Sequence, residues 1–356
     1  MSILEKIEVQ DYYLIAEIGV NYYDIAKKLN ISNLEAAKLM MLEAKNAGID
    51  AVKFQTYKAE TLAAKDSPSY WDTTEETTTS QFQLFKKFDS FGITEYTLLS
   101  EYAKEIHVDF LSTPFDFESA DYLYDLMNEY KISSSDLTNL PFIEHMSKKG
   151  KQIILSTGAS NLDEIEQAVK TIKTFNNNKI GLLHCVLEYP TPYEHSNLQK
   201  IVSLKNAFPE CIIGYSDHTK PDDDMQVIKT AYLLGAQIIE KHFTLDKTLP
   251  GNDHYHAMDP ADLRILKSGL EFIKQIRGNG NLACLESEKI SRLNARRSIV
   301  ANMDIRAGET ITRDMLAFKR PGTGISPQDI EHVTGKKASI DISEDTIIQK
   351  NMLEES

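Results

Sequence analysis

Residues 152–185 read QIILSTGASNLDEIEQAVKTIKTFNNNKIGLLHC, and one unit of the fold is legible in them. Gln152–Ser156 and Ile180–Cys185 are short apolar runs without the in/out alternation of a half-exposed sheet, as expected of parallel strands covered on both faces. Between them Leu162, Ile165, Val169 and Ile172 recur at helical spacing over Leu162–Phe175. Asn161 precedes them and Glu164 follows three residues on, the pattern of a capping box. The stretch predicts strand, helix, strand, with the two strands parallel.

The same alternation extends in both directions. Further strands are expected at Tyr12–Ile18, Ala51–Phe54, Val108–Ser112, Glu129–Ile132, Cys211–Tyr215 and Ala236–Lys241, and further helices at Leu34–Ala47, Asp223–Leu234 and Pro260–Ile276. Eight strand-then-helix units before residue 280 match a (β/α)8 TIM barrel of the α/β class in count and length. A doubly wound sheet is the alternative, but no GxGxxG follows the first strand. The long connection Thr56–His107 contains SPSYWDTTEETTTSQFQLF and the only tryptophan, Trp71; it is either a surface insertion or a substrate-covering lid. After Gly278–Gly280 the pattern changes. Ser298–Ala301 and Ile340–Ile342 look like short strands, and Gly308, Pro321, Gly322, Gly324, Pro327 and Gly335 supply turns. The expected organisation is a barrel over residues 1–282, a linker over 283–295 that includes Glu286–Asn294, and a small, mostly β domain over 296–356.

The chain has 356 residues, 42% hydrophobic and 26% charged, which is ordinary globular composition rather than that of a disordered or membrane protein. Its 39 basic and 53 acidic side chains give a net charge of −14. That balance argues against nucleic acid or an anionic membrane as partner, while leaving room for an anion in a locally basic pocket. MSILEKIEVQDYYLIAEIGV lacks a basic segment followed by an apolar one, and no run approaches the ~18 apolar residues of a spanning helix. Three scattered cysteines, Cys185, Cys211 and Cys284, without a CxxC, are expected to be reduced core residues of a cytoplasmic protein.

In a barrel, chemistry collects at the carboxyl ends of the strands. Polar residues gather there on every strand: Glu17; Lys53 and Gln55; Ser112 and Thr113; Lys131 and Ser134; Ser156 and Thr157; His184 and Glu188; Ser216, Asp217 and His218; and Glu240, Lys241 and His242. Lys53 and Lys131, among hydroxyl residues, suit a phosphate or carboxylate, whose oxygens need charge-assisted partners. They could equally be paired with buried carboxylates, or one could be a Schiff-base lysine. His218 and His242 end successive strands and would suit a divalent ion with open positions. His254 and His256 are possible further ligands, although an HxH in a Gly/Asn/Asp turn is expected to be exposed. Asp253 in the same turn could hold sugar hydroxyls.

EIGVN at 17–21, VKFQT at 52–56, STPF at 112–115, ILSTG at 154–158, HC…YPTPYE at 184–194, GYSDHT at 214–219, EKHFT at 240–244 and KRPGTGIS at 319–326 together resemble the sialic acid synthases. The resemblance runs in order over nearly the whole chain. It implies a TIM barrel followed by an antifreeze-like (SAF) domain, and condensation of phosphoenolpyruvate with an N-acetylmannosamine-type aldose. Carried over by motif, it implies phosphoenolpyruvate contacts from Lys53, Thr113, Lys131, Ser134, Ser156 and Ser216, and sugar contacts from Glu17, Gln55, Tyr189 and Asp253. It places a divalent metal, Mn2+ with Mg2+ or Co2+ as alternatives, on His218 and His242. Arg320 would enter the partner's active site in a domain-swapped homodimer. Glu17, Lys53, Lys131, His218 and His242 are the expected catalytic set.

The chain departs from the family pattern where Ser133–Ser134–Ser135–Asp136 replaces a GSG-type turn, and where Leu187 replaces a polar asparagine. Glu188 is reminiscent of the legionaminic acid branch. The expected reaction is N-acetylneuraminate synthesis, with 2,4-diacetamido-2,4,6-trideoxymannose or a 6-phosphorylated sugar as alternative acceptors. A Schiff-base aldolase and a non-catalytic carbohydrate-binding protein are the readings from other classes.

Overall fold

Eight parallel strands form one sheet in the order β3-β2-β1-β8-β7-β6-β5-β4, and its end strands β3 and β4 adjoin, so the sheet curls into a barrel. They are β1 (Tyr13–Gly19), β2 (Ala51–Thr56), β3 (Asp109–Pro114), β4 (Glu129–Ile132), β5 (Gln152–Ser156), β6 (Gly181–Cys185), β7 (Ile212–Asp217) and β8 (Ile238–His242). This computed structural model describes residues 3–71, 73–74, 76–251 and 253–354. The chain divides into two compact units, Met1–Gly278 and Asn279–Ser356.

The strands are buried on both faces, yet the two faces differ. Tyr13, Ile15, Ala51, Leu111, Ile154, Leu183, Ile212 and Ile238 point inward as one apolar cluster. The helix Ile3–Gln10, which periodicity did not predict, closes the amino-terminal end of this cluster with Ile3 and Ile7. Gly214 belongs to the same interior; a Cβ there would come within 2.3 Å of the Ile238 carbonyl and of Leu183. The alternate residues, such as Leu14, Val52, Phe54, Tyr130, Leu155, Leu182, Ile213 and Ile239, face the surrounding helices. Toward the carboxyl ends of the strands the inward column passes from this apolar interior to the barrel mouth.

Capping fixes the helix starts. Asn161 and Glu164 form the expected capping box ahead of Leu162–Phe175. Ser32 and Glu35 do the same for Asn33–Ala47, and Asp259 and Asp262 for Pro260–Arg277. The helix expected at Asp223–Leu234 starts later, at Gln226, because the Asp222 carboxylate accepts the Gln226 and Val227 amides. The connection after β2 is built rather than loose, with helices at Ala59–Leu62, Gln81–Lys87 and Ile93–Glu105.

In the second unit, β9 (Ser298–Ala301) pairs antiparallel with β10 (Leu316–Lys319). Ile340–Ile342 is not the strand the sequence suggests. Only Ile342 makes a bridge, to Ile305, while Ile340 is exposed. Ile299, Ile305, Ile311, Val333, Ile342 and Ile348 make a separate small core. Glu286–Glu288 and Lys289–Ala295, within the expected linker, form a 3-10 turn and a short helix. Cys185 and Cys211 are buried, but Cys284 is exposed and not a core residue. Among the described residues no helix is long and apolar enough to cross a membrane.

Candidate active site

The inward column of each strand ends in a polar residue, and the barrel closes these into a ring. Register sets Glu17 of β1 beside Lys53 of β2 and His242 of β8, and Gln55 beside Thr113 of β3. Lys53 pairs with the Glu17 carboxylate, donates to the Thr113 hydroxyl at 3.0 Å, and lies 3.7 Å from Glu240. Lys131 donates to the Ser156 hydroxyl at 2.7 Å and lies 3.6 Å from the other Glu240 oxygen. The Ser216 hydroxyl donates to Glu240 at 2.9 Å. Ser134 accepts the Gly158 amide at 3.0 Å, and a Cβ on Gly158 would come within 2.9 Å of that hydroxyl. Both lysines are thus paired with buried carboxylates, as one of the sequence readings had it, and both also face hydroxyl groups.

Burial opposes charge on all four ionisable groups, and their neighbours decide the outcome. At Lys53 the carboxylates of Glu17 and Glu240 outweigh burial and hold the ammonium above its ordinary pKa; at Lys131 burial prevails and lowers it. Burial raises the Glu17 carboxyl, whereas Lys131 and Lys53 overcome burial to hold Glu240 low. Of the two carboxyls that face the lysines, Glu17 is thus the one burial biases toward holding a proton, and it accepts from Gln55 at 3.1 Å.

Two cavities meet at this ring. One is lined by Lys53, Thr113, Lys131, Ser134, Ser156 and Ser216, among others. The other is walled by Tyr57, Tyr70, Trp71 and Phe85, with the carboxylates of Asp24 and Asp253. Gln55, Tyr189 and His242 line both. The segment around Trp71 thus covers a cavity, in keeping with the lid alternative.

His218 and His242 come together at the mouth, with ring centres 5.5 Å apart. His218 Nδ1 bonds the Val186 carbonyl at 2.6 Å, which leaves Nε2 with its lone pair for a ligand. Burial, with His256 and His218 nearby, holds His242 well below the ordinary imidazole pKa and keeps it neutral. Its buried Nδ1 has no hydrogen-bond partner among the described residues. Such donors fit a divalent ion. His254 and His256 are both buried, contrary to the expectation that this HxH is exposed, because the turn folds back over the mouth. His254 is held by Thr244 at 2.8 Å and Asp24 at 3.3 Å.

Several strand-end residues do not reach the mouth. Ser112 bonds Thr56, His184 bonds the Ser196 carbonyl and stacks on Tyr215, and Lys241 pairs with Asp217 at 2.5 Å. None of the four (Ser112, His184, Asp217, Lys241) lines either cavity. Lys241 is thereby removed from the Schiff-base reading. Glu188 is exposed and pairs with His195 at 3.0 Å; neither it nor Leu187 lines a cavity. Arg320 is an exposed residue of the second unit. Tyr57 and Tyr70 are site residues that the sequence reading left out, and Glu240, grouped there with the strand ends, was given no role. Two-residue strand periodicity counted back from His242 would have set Glu240 on the same inward face.

Comparison with known proteins places the chain. The model of the NeuB family matches residues 40–282, and that of the SAF domain residues 296–354. An N,N'-diacetyllegionaminic acid synthase of Campylobacter jejuni is 38% identical over 95% of this chain and 98% of its own length. A second one, from Legionella pneumophila, is 35% identical over 94% and 93%. A solved N-acetylneuraminic acid (sialic acid) synthetase of Leptospira borgpetersenii superposes with a TM-score of 0.67 at 33% identity, covering 79% of this chain and 90% of that one. The chain belongs to the NeuB family.

Proposed function

We propose that the protein is a nonulosonic acid synthase, condensing phosphoenolpyruvate with an N-acetylmannosamine-type aldose and releasing phosphate by C–O cleavage. The observation that carries this reading is the pair of joined cavities, one with two buried ammonium groups among hydroxyls, the other aromatic and acidic. The first has the charge-assisted donors that a phosphate and a carboxylate require. The second offers flat apolar walls and carboxylate acceptors for hydroxyl and amide groups. Among the described residues no lysine or arginine of the same chain lines it, so any cation for a phosphorylated acceptor would have to come from the partner, and an unphosphorylated acceptor is favoured. Its aromatic walls favour 2,4-diacetamido-2,4,6-trideoxymannose, with its deoxy methyl and second acetamido group, over N-acetylmannosamine; the names of the Campylobacter and Legionella relatives support the same choice.

In this reaction Lys53 and Lys131 hold the phosphate and carboxylate of phosphoenolpyruvate, aided by Thr113, Ser134, Ser156 and Ser216. Gln55, Tyr189 and Asp253 hold the open-chain sugar with its aldehyde toward phosphoenolpyruvate carbon 3. That carbon attacks the aldehyde, water adds at carbon 2, and the tetrahedral intermediate expels phosphate. Glu17, whose carboxyl burial biases toward protonation, takes the proton of the adding water. The ammonium groups offset the charge that moves onto the leaving phosphate. His218 and His242 would hold a divalent ion, Mn2+ in the first instance, which when bound withdraws charge from the acceptor's carbonyl oxygen. In a domain-swapped homodimer Arg320 would add a cation to the partner's site.

Phosphate release from phosphoenolpyruvate tests the reading, with Mn2+ present and no sugar, N-acetylmannosamine or the diacetamido sugar added. Sugar-dependent release abolished by EDTA is expected, faster with the diacetamido sugar. No release with either sugar overturns the reaction and leaves another acceptor or binding alone.

A further inference from the structure

The turn Asp253–Asp259 carries a third imidazole to the mouth. His256 is fully buried, and neither of its ring nitrogens has a hydrogen-bond partner among the described residues. Its ring centre lies 4.8 Å from that of His242 and 6.3 Å from that of His218. One donor atom from each of His242, Asp253 and His256 lies within 4.8 Å of the others. His254, two residues earlier, shows how the same turn treats a structural histidine, with a partner for each nitrogen. Burying a polar atom without a partner is unfavourable, so an imidazole left doubly unbonded points to a ligand. Imidazoles sharing one ion at ~2.1 Å have ring centres roughly 4.5–6.5 Å apart, a range that holds all three histidine separations here.

We propose that His256 is a ligand of the divalent ion that the functional reading sets on His218 and His242, beside the Asp253 carboxylate. The inference rests on that reading and goes beyond it in the number of protein ligands and in metal preference. Three imidazoles favour a first-row transition ion over Mg2+, which prefers oxygen donors and retained water. His256 thereby sets which metal the protein accepts.

The test is Co2+ binding to the metal-free, full-length protein, followed by calorimetry and visible absorption with Mg2+ as competitor. Wild type is expected to bind Co2+ and to resist Mg2+. His256→Asn and His256→Ala are expected to bind Co2+ at least tenfold more weakly and to lose that resistance, while circular dichroism and melting of the metal-free forms are retained. If both variants bind Co2+ like wild type while His242→Ala does not, His256 is no ligand and the two-histidine site stands. If wild type binds no Co2+, the metal reading falls and the inference with it. Should the variants fail to fold, pulsed electron paramagnetic resonance of the wild type with Mn2+ and 15N-histidine decides: three coupled imidazoles support the inference, and two overturn it.

Discussion

The carboxylate of Glu240 stands 3.6 Å from the ammonium of Lys131, with its second oxygen 3.7 Å from Lys53. A multiply charged anion that takes both ammonium groups must therefore compete with a carboxylate already facing them. Charges about 4 Å apart at an effective dielectric near 20 interact by ~4 kcal/mol, so the competition is felt. Glu240→Gln removes the charge and keeps an oxygen for the Ser216 hydroxyl. Phosphoenolpyruvate is expected to bind about tenfold tighter by calorimetry, and turnover to fall because the lysines lose the group that spaces them. Weaker binding in this variant would mean that Glu240 supports the lysines instead.

Lys131 and Lys241 are both buried, on opposite faces of the barrel wall, and their removal should fail in opposite ways. Lys131→Ala deletes a cation from the lysine-lined cavity. Turnover is expected to drop by about 10²–10³ and phosphoenolpyruvate affinity at least tenfold, with the melting temperature little changed. Lys241→Ala leaves Asp217 buried without its ammonium partner, and a loss of about 3–5 kcal/mol in stability is expected. Steady-state kinetics and urea unfolding on both variants separate the two. Unchanged kinetics in Lys131→Ala would refute its place in the site.

How far the sequence reaches can be seen at the same two lysines. Strand count, the helix cap at Asn161 and the cluster of polar residues at strand ends were legible, because each is a local pattern. Which face a strand-end residue takes depends on barrel closure, and two-residue periodicity within short apolar runs does not say which parity is inside. His184, Asp217 and Lys241 were thus grouped with the mouth although they face the helices. The exposed HxH expected from the composition of its turn failed for a related reason. That turn is polar enough to be solvated, but Asn21 bonds the Asp253 and Phe243 carbonyls and ties it to the barrel end. The strand Leu316–Lys319 was missed although Met315–Phe318 is apolar, because the run is only four residues long and its pairing with Ser298–Ala301 is not a local pattern.

Trp71 is the only tryptophan and lines the aromatic-walled cavity, with its indole N–H donating to the carbonyls of Glu76 and Thr78 at 3.2 and 3.1 Å. Its emission is expected to shift when an acceptor sugar binds and to stay unchanged with phosphoenolpyruvate alone. Trp71→Ala should raise the acceptor KM about tenfold through lost aromatic area and leave the phosphoenolpyruvate KM within twofold. An equal rise in both constants would assign the segment to general stability rather than to sugar binding.

At the opposite end of the barrel, burial pushes the Glu129 carboxyl up to about 7, with Asp109 adding to the rise and the Ile3 amide, 3.4 Å away, opposing it. Below the ordinary glutamate pKa of about 4.3, both the folded and unfolded chains hold this proton, and the group does not change the balance between them. Between there and pH 7 the folded chain keeps a proton that the unfolded chain has released, so its contribution to stability is lost as pH rises through that window. The full change is on the order of 3 kcal/mol. Glu129→Gln stays neutral and can still accept from Ile3. The variant should match wild type in urea unfolding near pH 4.5 and exceed it by a few kcal/mol at pH 8. Parallel unfolding curves at the two pH values would show that Glu129 ionises freely in the folded barrel, and that water reaches the end closed by Ile3–Gln10.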